Sequence, residues 1–503
     1  MAATATQTRP AAGPARPAEH VDVLIVGAGI SGVGGAYHLT KQRPGTSFVV
    51  LEAYPTFGGT WWMHKYPGIR SDSDLYTFGY RFKPWVGPPI ATADEIRKYM
   101  GDVIEENGLA RYIRYNHKVL SAKWSSNESL WTIDATDTST GEQHRFTANF
   151  LWMCQGYYRH SQGYTPEWPG METFKGLIVH PQTWPEDLDY KDKNVVVIGS
   201  GATAATVVPA MAADTKHITV LQRSPTYFIP GRNQNDLADQ LREIGVRDDW
   251  IHEIVRLRLL YDQDLFTKRC YEHPEEVKRE LLAGVRAYLG PDYDVETHFT
   301  PSYRPWRQRI AFVPDGDIFK GIASGKASMV TDEIDRFTAE GILTKSGELL
   351  KADIIVTATG FNMSVLGDMA FEIDGEPLDF HDTITYRGMM FTGIPNLLWV
   401  FGYFRASWTL RADMLADFVC RLLAHMDANG AKQVRVQLRP EDADMPLLDW
   451  IDPDNFNPGY LMRSMHLLPR RGDKREWQHT QDYWREKEEI PAIDLDGPEF
   501  TYA

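Results

Sequence analysis

The sequence predicts an α/β protein made of two parallel-sheet units, each opening on a glycine-rich turn, with a helical insertion between their halves. Two observations carry this. Gly27-Ala-Gly-Ile-Ser-Gly32 and Gly199-Ser-Gly-Ala-Thr-Ala204 each follow a short β-branched run and open a helical stretch. Each helical stretch is followed by another apolar run, so both form complete βαβ units. A third observation supplies the insertion: residues 234–290 are rich in charge with apolar residues at helical spacing, as in Trp250–Leu260.

Length and composition set the outer limits. The chain has 503 residues, more than one ordinary domain and enough for two or three cores. A hydrophobic share of 43 % predicts a packed interior rather than disorder. The net charge of −15 argues against a nucleic-acid partner, which would need clustered cations. Cys154, Cys270 and Cys420 form no C-x-x-C pair, which argues against a dithiol redox centre or a zinc knuckle. They read as buried thiols in a reducing cytoplasm, with no metal site expected. No run approaches the roughly 18 apolar residues of a membrane span, so no membrane insertion is expected. Residues 1–20, rich in Ala, Pro and Thr, lack the apolar core of a secretion signal and read as a flexible tail.

In the first unit, Val21–Val26 and Ser47–Leu51 are buried parallel strands. Gly27 makes the tight turn, Gly29 lets backbone approach a pyrophosphate, and Gly32 permits close helix–strand packing. Ile30 and Ser31 open the helix whose N-terminus attracts the anion. Glu52 ends the second strand, where a carboxylate accepts from a ribose hydroxyl and repels a 2′-phosphate. That pattern suits FAD or NAD rather than NADP. In Gly58–Asp72 the paired glycines suit backbone wrapped around a ligand, and Gly59, Thr60, Trp61 and Asp72 join the FAD site. Trp61, Trp62 and Tyr66 are candidate walls for a flavin ring, with ordinary core packing equally open for Trp62. Asp72 would bring a carboxylate toward the reactive face. Residues 105–160 read as sheet with no evident chemistry, although Val119 is placed among the FAD contacts.

The second unit runs Asn194–Ile198, the glycine turn, a helix to about Ala213, and the strand His217–Leu221. Gly199, Ser200, Gly201, Ala202 and Thr203 would hold the pyrophosphate. Here the strand ends in Gln222-Arg223-Ser224 instead of an acid; Arg223 pairs with a 2′-phosphate and Ser224 adds a hydrogen bond, which suits NADPH. The first unit therefore suits FAD and the second NADPH. Two such units imply two Rossmann-like dinucleotide-binding domains whose cofactors must meet. His252 and His273 read as surface or cap residues. Ile394–Tyr403 reads as a last buried strand, and Ser407 either caps the following helix or sits at the flavin's pyrimidine end. Residues 430–503 read as a surface wrap without a site.

Several stretches resemble the type I Baeyer–Villiger monooxygenases, a flavin-dependent family. Phe174–Pro185 fills every fixed position of F-x-G-x-x-x-H-x-x-x-W-P, and Gly58–Asp72 fills G-G-x-W-x-x-x-x-Y-P-G-x-x-x-D. Tyr303–Arg309, Pro314–Asp317, Gly325–Ser328 and Ala406–Thr409 are most similar to the subgroup containing the ethionamide-activating monooxygenase. The resemblance spans most of residues 20–430. It implies that NADPH reduces FAD, that a C4a-peroxyflavin forms with O2, and that small apolar ketones become esters or lactones or thioethers become sulfoxides. It places the catalytic arginine at Arg309, with Asp72 positioning it. The family often has Lys where this chain has Gln308, which is assigned to the NADPH contacts. Alternatives are an S- or N-oxygenating flavin monooxygenase without Baeyer–Villiger activity, and a non-oxygenating FAD/NADPH redox-sensing module. His180 could be a base, but its place between the two units makes Phe174–Pro185 a hinge linker instead. The expected domains are the tail at 1–20, the FAD-binding domain at 21–155, and the NADPH-binding domain at 156–233 with its linker at 156–193. The helical insertion follows at 234–300, the NADPH domain returns at 301–357, and 358–503 complete the FAD domain and wrap. Nothing in the sequence fixes the oligomeric state.

Overall fold

A computed structural model describes residues 18–503. The first unit is built on the strand Glu19–Val26, whose sequence EHVDVLIV buries its apolar end completely. It pairs in parallel with Phe48–Leu51 on one side and Gln143–Met153 on the other. Glu19 and His20 extend this strand, in register with Phe146 and Thr147. The sequence had put both in the tail; their ladder hydrogen bonds place them in the sheet. The rest of the tail, residues 1–17, lies outside the described residues. Helix α1 (Ile30–Gln42) returns the chain between the two parallel strands. Gln143–Met153 also pairs antiparallel with Leu130–Asp137, which in turn pairs with His117–Ser125. Leu397–Trp399 joins in parallel at its far end. The sheet has nine strands, counting the contributions of residues 370–377.

The second unit is a five-stranded, all-parallel sheet. In spatial order its strands are Ala327–Thr331, His217–Gln222, Asn194–Ile198, Ile354–Thr357 and Leu177–Val179. Val195–Ile198 and Ile354–Val356, in two of the inner strands, are fully buried runs of Val and Ile, as a sheet covered on both faces requires. Helix α2 (Ala202–Ala212) covers one face. Residues 236–299 form four helices, of which α3 (Asp248–Glu272) is the longest. Helix α4 (Trp408–Ala428) packs against α1 and buries thirteen of its residues.

Three local expectations change. Phe174–Pro185 is not only a linker, because Leu177–Val179 is the edge strand of the second sheet. The apolar Leu-Ile-Val run pairs with Ile354–Val356 because that edge would otherwise be bare. His252 is 2 % exposed rather than superficial, and its Nδ1 accepts from the Trp85 backbone N–H at 3.1 Å. His273 does sit at a cap, between α3 and the helix Pro274–Leu289. Residues 430–503 do more than wrap the surface: Trp450 and Trp477 are among the largest fully buried side chains.

Candidate active site

Both glycine turns lie at the carboxyl ends of their central strands, where open α/β sheets bind ligands. A cavity of ≈ 780 Å³ starts at the first turn and reaches the N-terminus of α2. The sequence-predicted residues Gly27, Gly29, Ile30, Ser31, Glu52, Gly59, Thr60, Trp61, Asp72 and Val119 line it, together with Arg309, Ala202 and Thr203. Residues from 27 to 309 thus converge on one space.

The first turn is held by Glu52. Its Oε2 accepts the Ala28 N–H at 2.7 Å and its Oε1 accepts the Tyr54 N–H at 3.0 Å. Burial pushes this carboxyl upward, against the pull of those backbone donors. Gly32 faces away from the cavity; a Cβ there would sit 1.9 Å from the Gly27 oxygen, so it serves the close helix–strand packing. Gly29 and Gly59 stand opposite each other. A Cβ on Gly59 would lie 3.1 Å from the Gly29 Cα, so backbone alone forms this part of the wall. Such a bare-backbone cradle beside a helix N-terminus fits a dinucleotide pyrophosphate.

At the far end Arg309 and Asp72 form a two-pronged ion pair. Nε donates to Oδ2 at 2.6 Å and Nη2 to Oδ1 at 2.7 Å. The two side chains are 39 % and 32 % accessible, and both line the cavity wall. Burial opposes the Arg309 charge, but the adjoining Asp72 carboxylate outweighs it and raises the guanidinium's pKa. Tyr157, Tyr158 and Tyr460 line the same wall. The Tyr157 hydroxyl donates to that of Tyr158 at 2.9 Å, and the Tyr157 ring stacks on Trp408 with centroids 5.2 Å apart. Burial raises all three phenols, so they are neutral donors at neutral pH.

The turn Tyr66-Pro-Gly68 joins the two units. Tyr66 and Thr203 share the cavity wall, and Arg70 donates to Asp317 at 2.6 Å and to the Ala205 oxygen at 3.2 Å. Gly68 has φ +75°, and a Cβ there would lie 2.6 Å from the Ala210 Cβ and 3.0 Å from the Thr206 oxygen. Only glycine lets this turn lie so close to α2. His64, also in the wall, is lowered to about 4 by burial, reinforced by His160 and His180. Trp62 stands outside the cavity lining; it packs against Tyr54, with Lys65 over its ring.

Other predicted residues lie away from this cavity. Ser407 is the N-cap residue of α4 without capping through its side chain. Its Oγ is 2.6 Å from the Thr77 Oγ1, while its neighbour Trp408 faces the cavity and donates to the Ser31 Oγ at 2.8 Å. Gly199, Ser200 and Gly201 form the second turn; Ser200 Oγ lies 3.1 Å from the Thr226 Oγ1. A Cβ on Gly201 would meet open space, and Arg223 and Ser224 are exposed at the end of their strand. Open space over Gly201 and an exposed guanidinium after the following strand are compatible with a 2′-phosphorylated dinucleotide. Gln308 donates to the Asn457 Oδ1 at 3.3 Å. His180 has both ring nitrogens on backbone: Nδ1 accepts from the Gln182 N–H at 3.1 Å, and Nε2 lies 3.1 Å from the Gly360 oxygen. A ring so engaged is a structural clamp and not a base.

Tyr157, Tyr158, Trp408 and Tyr460 are cavity residues that the sequence did not single out. Tyr157 and Tyr158 follow the Cys-Gln-Gly crossover, a position that could have marked them. Tyr460 carried no such signal.

Residues 25–84 match the NAD(P)-binding Rossmann-like domain, and residues 87–236 match the flavin-binding monooxygenase-like family. The chain is 45 % identical over 488 residues to the FAD-containing monooxygenase EthA of Mycobacterium tuberculosis, covering 96 % of this chain and 98 % of that one. It is 42 % identical over 474 residues to a probable FAD-binding monooxygenase AlmA of an Acinetobacter species, covering 94 % of each. Among solved structures, an oxidised steroid monooxygenase bound to NADP superposes with a TM-score of 0.74 at 23 % identity. That match covers 96 % of this chain and 99 % of the other. It carries the fold.

Proposed function

The chain belongs to the family of FAD-containing, flavin-binding monooxygenase-like proteins, and from that premise we propose that Arg309 and Asp72 are the charged centre of its oxygen-transfer site. It is an FAD- and NADPH-dependent monooxygenase of the Baeyer–Villiger type. One oxygen atom of O2 enters an organic substrate, the other leaves as water, and NADPH provides the two electrons. FAD supplies the oxygen-activating chemistry when bound, and every further contribution is the protein's own.

The observation that carries the proposal is the Asp72–Arg309 pair, set in the wall of the cavity that begins at the first glycine turn. Two of the five guanidinium N–H groups are fixed by Asp72, so the plane of the cation is set in advance. The remaining donors can stabilise negative charge that develops on oxygen during transfer, without reorganising. Tyr157, Tyr158 and Tyr460 add neutral hydroxyls and aromatic walls that suit an apolar ketone or thioether. Glu52, Gly29 and Gly59 would hold FAD, and the turn at Gly199–Gly201 with Arg223 and Ser224 would hold NADPH. The two sheets would then be the FAD-binding and NADPH-binding domains, with 236–299 as the insertion. All three cysteines are free and buried, which suits a reducing cytoplasm. Among the described residues no helix is long and apolar enough to cross a membrane.

The test uses the FAD-loaded protein, NADPH, 18O2, and a panel of ketones and thioethers, with products read by mass spectrometry. One labelled oxygen per ester, lactone or sulfoxide is expected. Products from thioethers alone would establish S-oxygenation without Baeyer–Villiger activity. NADPH consumption with only hydrogen peroxide released would overturn the oxygen-transfer reading.

A further inference from the structure

A second cavity, of ≈ 400 Å³, is lined by α3, α4 and the C-terminal helix Tyr483–Glu489. It shares no lining residue with the active-site cavity. Leu260, Leu410, Met414, Phe418 and Ile490 give it an apolar wall. Arg256 stands in that wall and is 5 % exposed. Its Nη1 donates to the Tyr76, Thr77 and Gly79 oxygens at 2.9, 3.1 and 2.9 Å. Its Nε and Nη2 have no acceptor among the described residues, yet neither is sealed from solvent. For a side chain so buried, that access is the cavity it lines. Arg421 lines the same cavity, and its Nη1 and Nη2 donate to the Ile493 and Ile490 oxygens at 2.9 and 2.8 Å. Neither guanidinium forms an ion pair among the described residues, and burial lowers the pKa of both. Buried cations are ordinarily paired with an anion.

The carboxylates of the wall are engaged elsewhere. Asp413 lies 3.2 Å from the His38 Nε2 and accepts the Arg81 N–H at 3.0 Å. Asp417 accepts from Gln42 at 2.7 Å and from the Arg81 Nη2 at 2.9 Å. Glu253 is exposed and forms no ion pair among the described residues, although its charge acts on Arg256. The Tyr483 hydroxyl has no hydrogen-bond partner among the described residues, and the Arg256 charge acts on it against burial. We infer that this cavity binds a monocarboxylate with an apolar tail. Its head group lies on the Arg256 Nε and Nη2 beside the Tyr483 hydroxyl, and its tail runs along Leu260, Leu410, Met414 and Phe418. The Nε–Nη2 edge of a guanidinium is the fork that a carboxylate fills with two parallel hydrogen bonds. A phosphate dianion would meet twice the repulsion from Asp413 and Glu253. The volume lies in the usual range of small-molecule sites, about 300–1,000 Å³.

The test is calorimetric titration of the FAD-loaded full chain with decanoate up to about 1 mM, with flavin absorbance as the folding control. One decanoate should bind per chain, and decan-1-ol at least about 10-fold more weakly. Tyr483→Phe removes a single hydroxyl and should weaken decanoate about 3- to 10-fold. Glu253→Gln removes a competing charge and should tighten it about 3-fold. Arg256→Gln should abolish measurable binding. If that variant fails to load FAD, Met414→Trp, which fills the cavity with an indole, should abolish binding instead. Arg309→Ala should leave decanoate binding unchanged, because Arg309 lines the other cavity. No binding, equal affinity for decan-1-ol, or an affinity indifferent to Tyr483→Phe and Glu253→Gln would overturn the inference. Loss of binding in Arg309→Ala would place decanoate in the active-site cavity and overturn it too. Displacement of decanoate by an equal concentration of inorganic phosphate would assign Arg256 to phosphate instead.

Discussion

Gly68→Ala probes the contact that joins the two units. The substitution adds one carbon in a left-handed conformation, at φ +75°. That conformation costs an L-residue about 1–2 kcal/mol. The new Cβ would lie 2.6 Å from the Ala210 Cβ and 3.0 Å from the Thr206 oxygen, both on α2. Neither atom is the free end of a flexible side chain, so backbone must move, an overpacking cost of about 1–3 kcal/mol. The sum is about 2–5 kcal/mol, and for a chain of 503 residues the thermal midpoint of the FAD-loaded protein should fall by about 2–5 °C. Tyr66, Arg70 and Asp72 lie on the same stretch, so the KM for NADPH should rise and product formation should fall. Gly68→Ala combined with Ala210→Gly removes the nearest atom and should recover part of the midpoint. The assay is differential scanning fluorimetry beside steady-state kinetics. An unchanged midpoint and KM in Gly68→Ala would show that this turn does not rest on α2 in solution.

Three further outcomes follow from the same geometry. Asp72→Asn leaves Arg309 without its carboxylate; FAD content should be kept while product formation falls about 100-fold, because the guanidinium loses its fixed orientation, and an unchanged rate would refute the positioning role. Glu52→Gln can accept only one of the two N–H groups that Glu52 now holds, so the FAD dissociation constant should rise about 10- to 100-fold by fluorescence titration; no change would remove Glu52 from the cradle. His38 is buried between α1 and α4, with its Nε2 3.2 Å from Asp413 and its Nδ1 3.2 Å from Asp417. Burial lowers its pKa, yet the two carboxylates more than compensate and the net direction is upward. A raised folded pKa gives stability that is complete below the unfolded value and lost as pH rises through the folded value. Of the other groups facing this cluster, Arg81 pairs with Asp417 and Tyr37 stacks on Phe82. The thermal advantage of the wild type over His38→Gln should therefore shrink as pH rises through neutrality, and a constant difference would contradict it.

What the sequence disclosed tracks how local each signal is. The glycine turns, Glu52 and the Tyr66–Gly68–Asp72 turn are short stretches whose chemistry is contained within the stretch, and each could be placed before the fold was known. The pairing of Arg309 with Asp72 spans 237 positions and came only through likeness to a family. Tyr460 could not be placed at all. It reaches the cavity because Asn457 N–H donates to the Arg307 oxygen at 2.9 Å, a contact across irregular chain that no periodicity announces. Ser407 shows the reverse case. Its type and position suit a helix cap, but the Thr77 hydroxyl at 2.6 Å takes its side chain and leaves Trp408 to face the cavity.

The central claim is that Arg309 stabilises charge during oxygen transfer and does not hold the cofactor. The direct measurement is made on Arg309→Ala: FAD content by absorbance, NADPH oxidation, and product by mass spectrometry in the same sample. The account predicts full FAD loading with product formation reduced by at least about 100-fold. Product at the wild-type rate from a fully loaded Arg309→Ala protein would contradict it.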